Sequence, residues 1–186
     1  MERDIGAPET DSVLELGVNR GEHLEFVTQS VGHYVATDFR LTSLEHSKHS
    51  DVLTQAVCSA EDLPFVDACF DRVIVTCLLH HLAKPYEAVR ECRRVLRPGG
   101  TFSLLLPCDP GIAYRLAWSL TSQRRLRRLG IPDPQMFHAL EHPQHFEDLY
   151  PAVRKAFSDC EINEHWWPLR LRTWNFNLFV TMTIYT

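Results

Sequence analysis

Apolar positions along the chain follow two alternating periods. The run Val13-Leu14-Glu15-Leu16 is short, apolar and closed by Gly17, as expected of a strand buried on both faces. Leu24, Phe26 and Val27 suit a helix lying on a sheet, and Tyr34-Val35-Ala36-Thr37-Asp38 reads as a second strand. The alternation predicts a helix around Leu41 to His46, strands over Val52 to Val57 and Asp71 to Thr76, a helix from Pro85 to Leu96, and a strand over Thr101 to Leu106. Arg97-Pro98-Gly99-Gly100 stops that last helix, because proline disfavours helix in the residue before it and glycine accepts angles that other residues avoid.

Strands and helices in alternation imply an α/β fold with a mostly parallel sheet covered on both faces. After Pro107 the pattern changes. Asp109-Pro110 is expected to open a long helix carrying Ile112, Leu116 and Leu120, followed by a helix from Phe146 to Phe157. Two extended stretches, Glu161 to Trp167 and Asn175 to Tyr185, are expected to pair as an antiparallel hairpin. Residues 1–11 read as a loose arm, and the sequence holds no internal repeat.

With 186 residues, 45% of them hydrophobic and 23% charged, the chain has the balance of one folded domain spanning residues 1–186. The formal net charge of -5 argues against nucleic acid as a partner. No apolar run approaches the roughly 20 residues that cross a bilayer, and Met1-Glu2-Arg3-Asp4 lacks the apolar stretch of a signal peptide, so a cytoplasmic location is expected. Six scattered cysteines without a CxxC pair read as reduced core thiols rather than a metal knuckle.

The chemistry concentrates after the first strands. Gly17 and Gly21 flank a strand-to-helix turn of the kind that lets backbone approach a ligand at the carboxyl end of an open sheet. Asn19 stands where a further glycine is expected, and asparagine tolerates left-handed angles. Asp38 follows about 20 residues later, the spacing at which a carboxylate accepts both hydroxyls of an adenosine ribose. The plain alternatives remain a ligand-free turn and a helix cap at Asp38.

Four further segments occur in order: Ala60-Glu61-Asp62-Leu63-Pro64-Phe65, Cys69-Phe70-Asp71-Arg72-Val73-Ile74-Val75, Leu79-His80-His81-Leu82 and Arg94-Val95-Leu96-Arg97-Pro98-Gly99-Gly100. With them, Ser12 to Leu106 resembles the class I S-adenosylmethionine-dependent methyltransferases of the ubiquinone/menaquinone-biosynthesis type. The resemblance implies a doubly wound, Rossmann-like seven-stranded sheet of order 3-2-1-4-5-7-6 whose last strand is antiparallel. It implies S-adenosyl-L-methionine as cofactor, with Glu15, Gly17, Asn19 and Gly21 around the methionine portion and Asp38 on the ribose. Ser59, Ala60 and Glu61 would lie beside the adenine, and Thr76 and Cys77 next to the sulfonium. Ser59 stands at the family's usual acidic position, and only a short arm precedes the first strand where many relatives carry one or two helices, which leaves open an uncovered pocket, one covered by another chain, or a shortened sequence.

For the proton of an acceptor hydroxyl, His80 or His81 is the expected base, as in similar sugar O-methyltransferases, with loop packing as the alternative. Asp109 is expected to orient such a histidine or bind an acceptor hydroxyl, with a cap of the helix after it as the plain alternative. Glu141, His142 and His145 read as a wall of the acceptor pocket within the helical insert 107–158, with no metal expected. Arg124, Arg125, Arg127 and Arg128 form the one dense basic stretch. They suit either a helix C-terminus or an anionic phosphate or membrane face. The aromatic end of the chain loosely resembles methyltransferases of surface-polysaccharide pathways, which points to a small-molecule acceptor such as a sugar or lipid-linked saccharide hydroxyl. A cofactor-binding protein without catalysis and a nicotinamide enzyme are the competing readings, and the oligomeric state is left open.

Overall fold

The computed structural model describes residues 10–19, 23, 31–40 and 53–186. The expected arm over residues 1–9, Gly21, and the helices placed around Leu24 to Val27 and Leu41 to His46 lie outside the described residues. Strand β1 (Thr10–Leu16) is followed by β2 (Val31–Asp38), β3 (Leu53–Val57) and β4 (Phe70–Thr76). Helix α1 (Pro85–Val95) leads into β5 (Leu96–Pro107). Four helices come next: α2 (Ile112–Leu120), α3 (Ser122–Arg128), α4 (Pro134–Glu141) and α5 (Phe146–Ala156). The hairpin of β6 (Glu161–Trp167) and β7 (Phe179–Tyr185) completes the fold.

The seven strands form one sheet of order β3-β2-β1-β4-β5-β7-β6. β1 to β5 pair in parallel, and β7 runs antiparallel between β5 and β6. This is the doubly wound, Rossmann-like architecture expected from the resemblance.

Burial explains why these segments are strands. Val13 to Leu16 are all buried, with Leu14 and Leu16 in the core on one face and Val13 in the core on the other. A central parallel strand covered on both sides needs such an unbroken apolar run. β4 divides likewise, Val73 and Val75 against Ile74. On the larger face, α1 buries Ala88, Val89, Cys92 and Val95, and α5 buries Leu149 and Val153, spacings that make one apolar stripe on each helix. Phe157, just past α5, stacks on Phe102 of β5 at 5.2 Å.

Two of the ordered segments prove to be one hydrogen-bonded unit. The Arg94 guanidinium donates to the carbonyls of Leu63 (3.0 Å) and Phe65 (2.8 Å) and to the carboxylates of Glu91 and Asp67. Glu91 in turn accepts from the Leu63 amide at 2.9 Å. The loop carrying Leu63-Pro64-Phe65 is thereby tied to α1.

Three expectations need correction. The long helix after Pro110 is broken into α2 and α3 at Thr121, whose hydroxyl donates back to the Ala117 carbonyl at 2.7 Å. The basic stretch therefore forms a helix of its own. Arg97 to Gly100 does more than stop α1: it is the start of β5, and Gly99 (φ +80°) accommodates the change of direction. The last strand begins at Phe179 rather than Asn175, after a 3₁₀ turn over Trp174–Phe176.

Candidate functional site

β1 and β2 end side by side, with Leu16 in register with Thr37, and the chain bends at once. The amides of Gly17 (2.8 Å) and Val18 (3.1 Å) both donate to the Thr37 carbonyl. Gly17 has φ +70°, and a Cβ there would stand 2.9 Å from Leu78 Cδ1, so this bend requires a glycine. Asn19 at φ +48° supplies the second left-handed residue. Its amide donates to Asp38 Oδ2 at 3.0 Å, while the Arg40 amide donates to Oδ1 at 2.9 Å. The Asp38 carboxylate is thus fixed in orientation, and each oxygen keeps a second lone pair.

Two adjoining cavities open at these strand ends. One, of about 640 Å³, is bordered by Glu15, Gly17, Asn19, Asp38, Thr76 and Cys77. The other, of about 340 Å³, is bordered by Gly17, Asp38, Ser59, Ala60 and Glu61. The expected cofactor residues among the described ones border one or the other of these two cavities, which have Gly17 and Asp38 in common. Glu15 is buried and held by the Tyr34 hydroxyl at 2.5 Å, with His23 Nδ1 3.4 Å away. Ser59 closes its own turn by accepting from the Glu61 amide at 3.1 Å, and Glu61 accepts from the Lys84 amide at 2.6 Å. Burial pushes the Cys77 thiol up to about 12, which keeps it neutral beside the cavity. Thr76 Oγ1 is buried without a hydrogen-bond partner, an oriented polar atom that a ligand can satisfy. Glycine cradle, fixed carboxylate and unpaired hydroxyl together fit an adenosine with an amino-acid tail.

Beyond this space lies a cluster of imidazoles. His80 and His81 form a 3₁₀ turn, Leu79–His81, and His142 packs on them with ring centroids 4.4 and 4.8 Å away. His138 stacks on His142 at 4.1 Å. Backbone bonds staple the segment in place: the Gln144 amide donates to the His80 carbonyl and the Phe146 amide to that of Asp109. His80 is 4% exposed, and burial together with the neighbouring imidazoles pulls it down to about 2. Its ring packs against those of His81 and His142 and borders neither of the two cavities, an arrangement that suits the loop-packing alternative. His81 differs. It borders both donor-side cavities, and its Nδ1 lies 2.5 Å from the Glu141 carbonyl. A carbonyl only accepts, so Nδ1 carries the hydrogen and Nε2 the lone pair.

Asp109 is not a helix cap. α2 has Gly111 at its N-cap and no side-chain capping bond. The Asp109 carboxylate is instead buried against two histidines, Oδ2 lying 3.1 Å from His142 Nδ1 and 3.3 Å from His138 Nε2. These three residues line a further cavity of about 430 Å³ with Tyr114, Trp118 and His145. Sequence reasoning missed Tyr114, Trp118 and His138. The available signal was the four-residue spacing of His138, on α4, and His142, the residue that ends it. Arg124, Arg125, Arg127 and Arg128 are all exposed on α3. No helix among the described residues is long and apolar enough to cross a membrane.

Comparison with known proteins agrees with this geometry. A methyltransferase-domain family model matches residues 14–104. The demethylmenaquinone methyltransferase of Corynebacterium urealyticum is 35% identical over 107 residues, covering 55% of this chain and 46% of that protein. The ubiquinone/menaquinone biosynthesis C-methyltransferase UbiE of Bordetella avium is 48% identical over 54 residues, covering 29% of this chain and 21% of that protein. The chain thus spans less than half the length of either relative. The solved S-adenosylmethionine-dependent methyltransferase of Mesorhizobium loti shares the fold, with a TM-score of 0.63 at 12% identity over 97% of this chain and 94% of that one. In matched sequence over residues 14–104, in strand order and in the cradle between Gly17 and Asp38, the chain is similar to class I S-adenosylmethionine-dependent methyltransferases.

Proposed function

We propose that the protein methylates a small ring acceptor whose nucleophile is made by removing a hydroxyl proton. The observation that carries this reading is the shared wall between cavities. His81 borders the donor space, and its ring packs on His142, which borders the cavity containing Tyr114 and Trp118. The cofactor, when bound, supplies a methyl group on a sulfonium. Asp38 binds the ribose, Glu15, Gly17 and Asn19 hold the amino-acid end, and Thr76 and Cys77 border the methyl. Tyr114 and Trp118 offer flat apolar faces for the acceptor ring. His81 Nε2 takes the hydroxyl proton, and the wall aligns the acceptor with the methyl carbon for in-line displacement.

The relatives named for demethylmenaquinone and for ubiquinone/menaquinone biosynthesis support a quinol-like ring in preference to the saccharide hydroxyl that the aromatic end of the chain suggested. An apolar acceptor agrees also with the surface around the cavity. Ile112, Leu116 and Leu120 make an exposed stripe on α2, beside the four exposed arginines of α3. Such a surface suits an anionic membrane face from which a lipid-borne acceptor is taken.

Calorimetry and turnover test the reading together. Asp38→Ala should weaken S-adenosylmethionine binding about 10-fold or more, because hydrogen bonds to charged groups contribute roughly 1.5 to 3 kcal/mol each. His81→Gln should leave donor affinity intact and lower turnover on a reduced demethylated naphthoquinone by about 10²-fold or more. Unchanged donor affinity in Asp38→Ala refutes the site, and preferential turnover of a nucleotide sugar refutes the acceptor class.

A further inference from the structure

We propose that Asp109, His138 and His142 bind one first-row divalent cation of the zinc type at the wall of the acceptor cavity. Two imidazoles and one carboxylate converge there. The distances from Asp109 Oδ2 to His142 Nδ1 (3.1 Å) and to His138 Nε2 (3.3 Å) match the edge of a metal-centred tetrahedron. With metal–nitrogen and metal–oxygen bonds of roughly 2.0 to 2.2 Å, that edge is about 3.3 Å.

The charges demand such a guest. Asp109 is 4% exposed, and no lysine or arginine ion pair to it is present among the described residues. Among the described residues, its ion-pair partners are the two rings. His138 Nε2 is buried and has no hydrogen bond of good geometry, although it lies beside the carboxylate. A buried carboxylate converging with two imidazole nitrogens, and lacking a lysine or arginine partner among the described residues, is an arrangement that a divalent cation would complete.

Local structure holds the ligands in register. His138 sits in the last turn of α4 and His142 is the residue that ends it, and their ring centroids lie 4.1 Å apart. Asp133 fixes the start of the helix by accepting from the amides of Gln135 (3.0 Å) and Met136 (2.9 Å). The His142 amide closes its end on the His138 carbonyl at 2.9 Å. A second grouping, His80, His81 and His142, is the weaker arrangement, because it lacks a carboxylate and His81 Nδ1 is engaged by Glu141.

Imidazole with carboxylate suits zinc and its neighbours, and three protein ligands leave a fourth position open to the cavity. An acceptor hydroxyl occupying that position would be acidified there. Only this chemical role rests on the acceptor reading given above; the binding itself does not.

The test uses the full chain, freed of metal with a chelator and titrated with Zn²⁺ by calorimetry and with Co²⁺ by visible absorption. One equivalent should bind, with a Co²⁺ ligand-field spectrum of a four- or five-coordinate site. Asp109→Asn, His138→Ala and His142→Ala should each weaken Zn²⁺ by about 100-fold or more, since even outer-shell partners cost roughly 10- to 100-fold. Asp38→Ala and His81→Ala should keep the wild-type affinity for zinc, and thermal melts in excess chelator identify any variant that has failed to fold. The proposal is overturned if no saturable binding is seen, or if zinc affinity survives His142→Ala in a folded protein. Zinc binding without methyl transfer would retain the metal site and overturn the acceptor reading alone.

Discussion

Replacing Gly17 by alanine sets two effects against each other in a way that Gly99 allows to be separated. Both glycines have positive φ, +70° and +80°. An L-residue at such angles costs roughly 1 to 2 kcal/mol. At about 2 to 4 °C per kcal/mol for a chain of this length, each alanine should lower the melting temperature by about 2 to 8 °C. Their surroundings differ. Nothing lies within 4 Å of a Cβ at position 99, whereas at position 17 it would meet Leu78 Cδ1 at 2.9 Å and Cδ2 at 3.2 Å. Leu78 must then give by about half an ångström to regain an ordinary contact of 3.4 Å or more. Because Leu78 borders both donor-side cavities, its displacement alters the space left for the cofactor. Gly17→Ala should therefore weaken S-adenosylmethionine by about 10-fold, equivalent to about 1.4 kcal/mol, and Gly99→Ala should leave it unchanged. Scanning calorimetry and titration calorimetry on the two variants read the two effects independently. Equal donor affinity in both variants would refute the assignment of this bend as the cofactor cradle, and an unchanged melting temperature in both would refute the strain argument.

Two other outcomes are expected. Burial alone would raise the Asp71 carboxyl, but the Arg97 guanidinium (2.6 Å) and the Ser12 hydroxyl and amide (2.9 and 2.8 Å) outweigh it and hold the group below its ordinary value. A depressed folded-state pKa stabilises above the unfolded value of about 3.9 and is lost as pH falls through the folded value. Asp71→Asn should accordingly be less stable than wild type at pH 7, with the gap closing below about pH 4 in acid denaturation curves. On the surface, charge reversal of Arg124, Arg125, Arg127 and Arg128 should abolish sedimentation with phosphatidylserine vesicles while leaving the melting temperature within about 2 °C. Undiminished sedimentation would remove the membrane role.

The sheet was legible in the sequence because its central strands are apolar runs closed by glycine or a polar residue, and Gly17, Asp38 and the Ser59 turn all follow such runs directly. Their shared cavity could be anticipated from topology, since β1, β2 and β3 are parallel neighbours. The region after Pro107 was less legible for a physical reason. Asp109 before proline has the local pattern of a cap, and only partners 29 and 33 residues away make it a buried ligand of two imidazoles. Thr121 likewise gives no local sign that its hydroxyl will end α2 by bonding back to Ala117. His80 and His81 are adjacent in sequence and chemically identical, so their separation into a buried ring and a cavity-bordering one depends on how closely Phe146, Gln144 and α4 close over them.

The place of Trp118 gives this site a voice of its own. Its indole lies edge-on to His138 at 4.7 Å, at the rim of the cavity that His138, His142 and Asp109 also border. Imidazole protonation or coordination at that distance alters indole emission, so occupancy could be followed by fluorescence without any label. The other three tryptophans, Trp166, Trp167 and Trp174, belong to the hairpin region, and a Trp118→Phe variant would identify which part of the signal comes from Trp118.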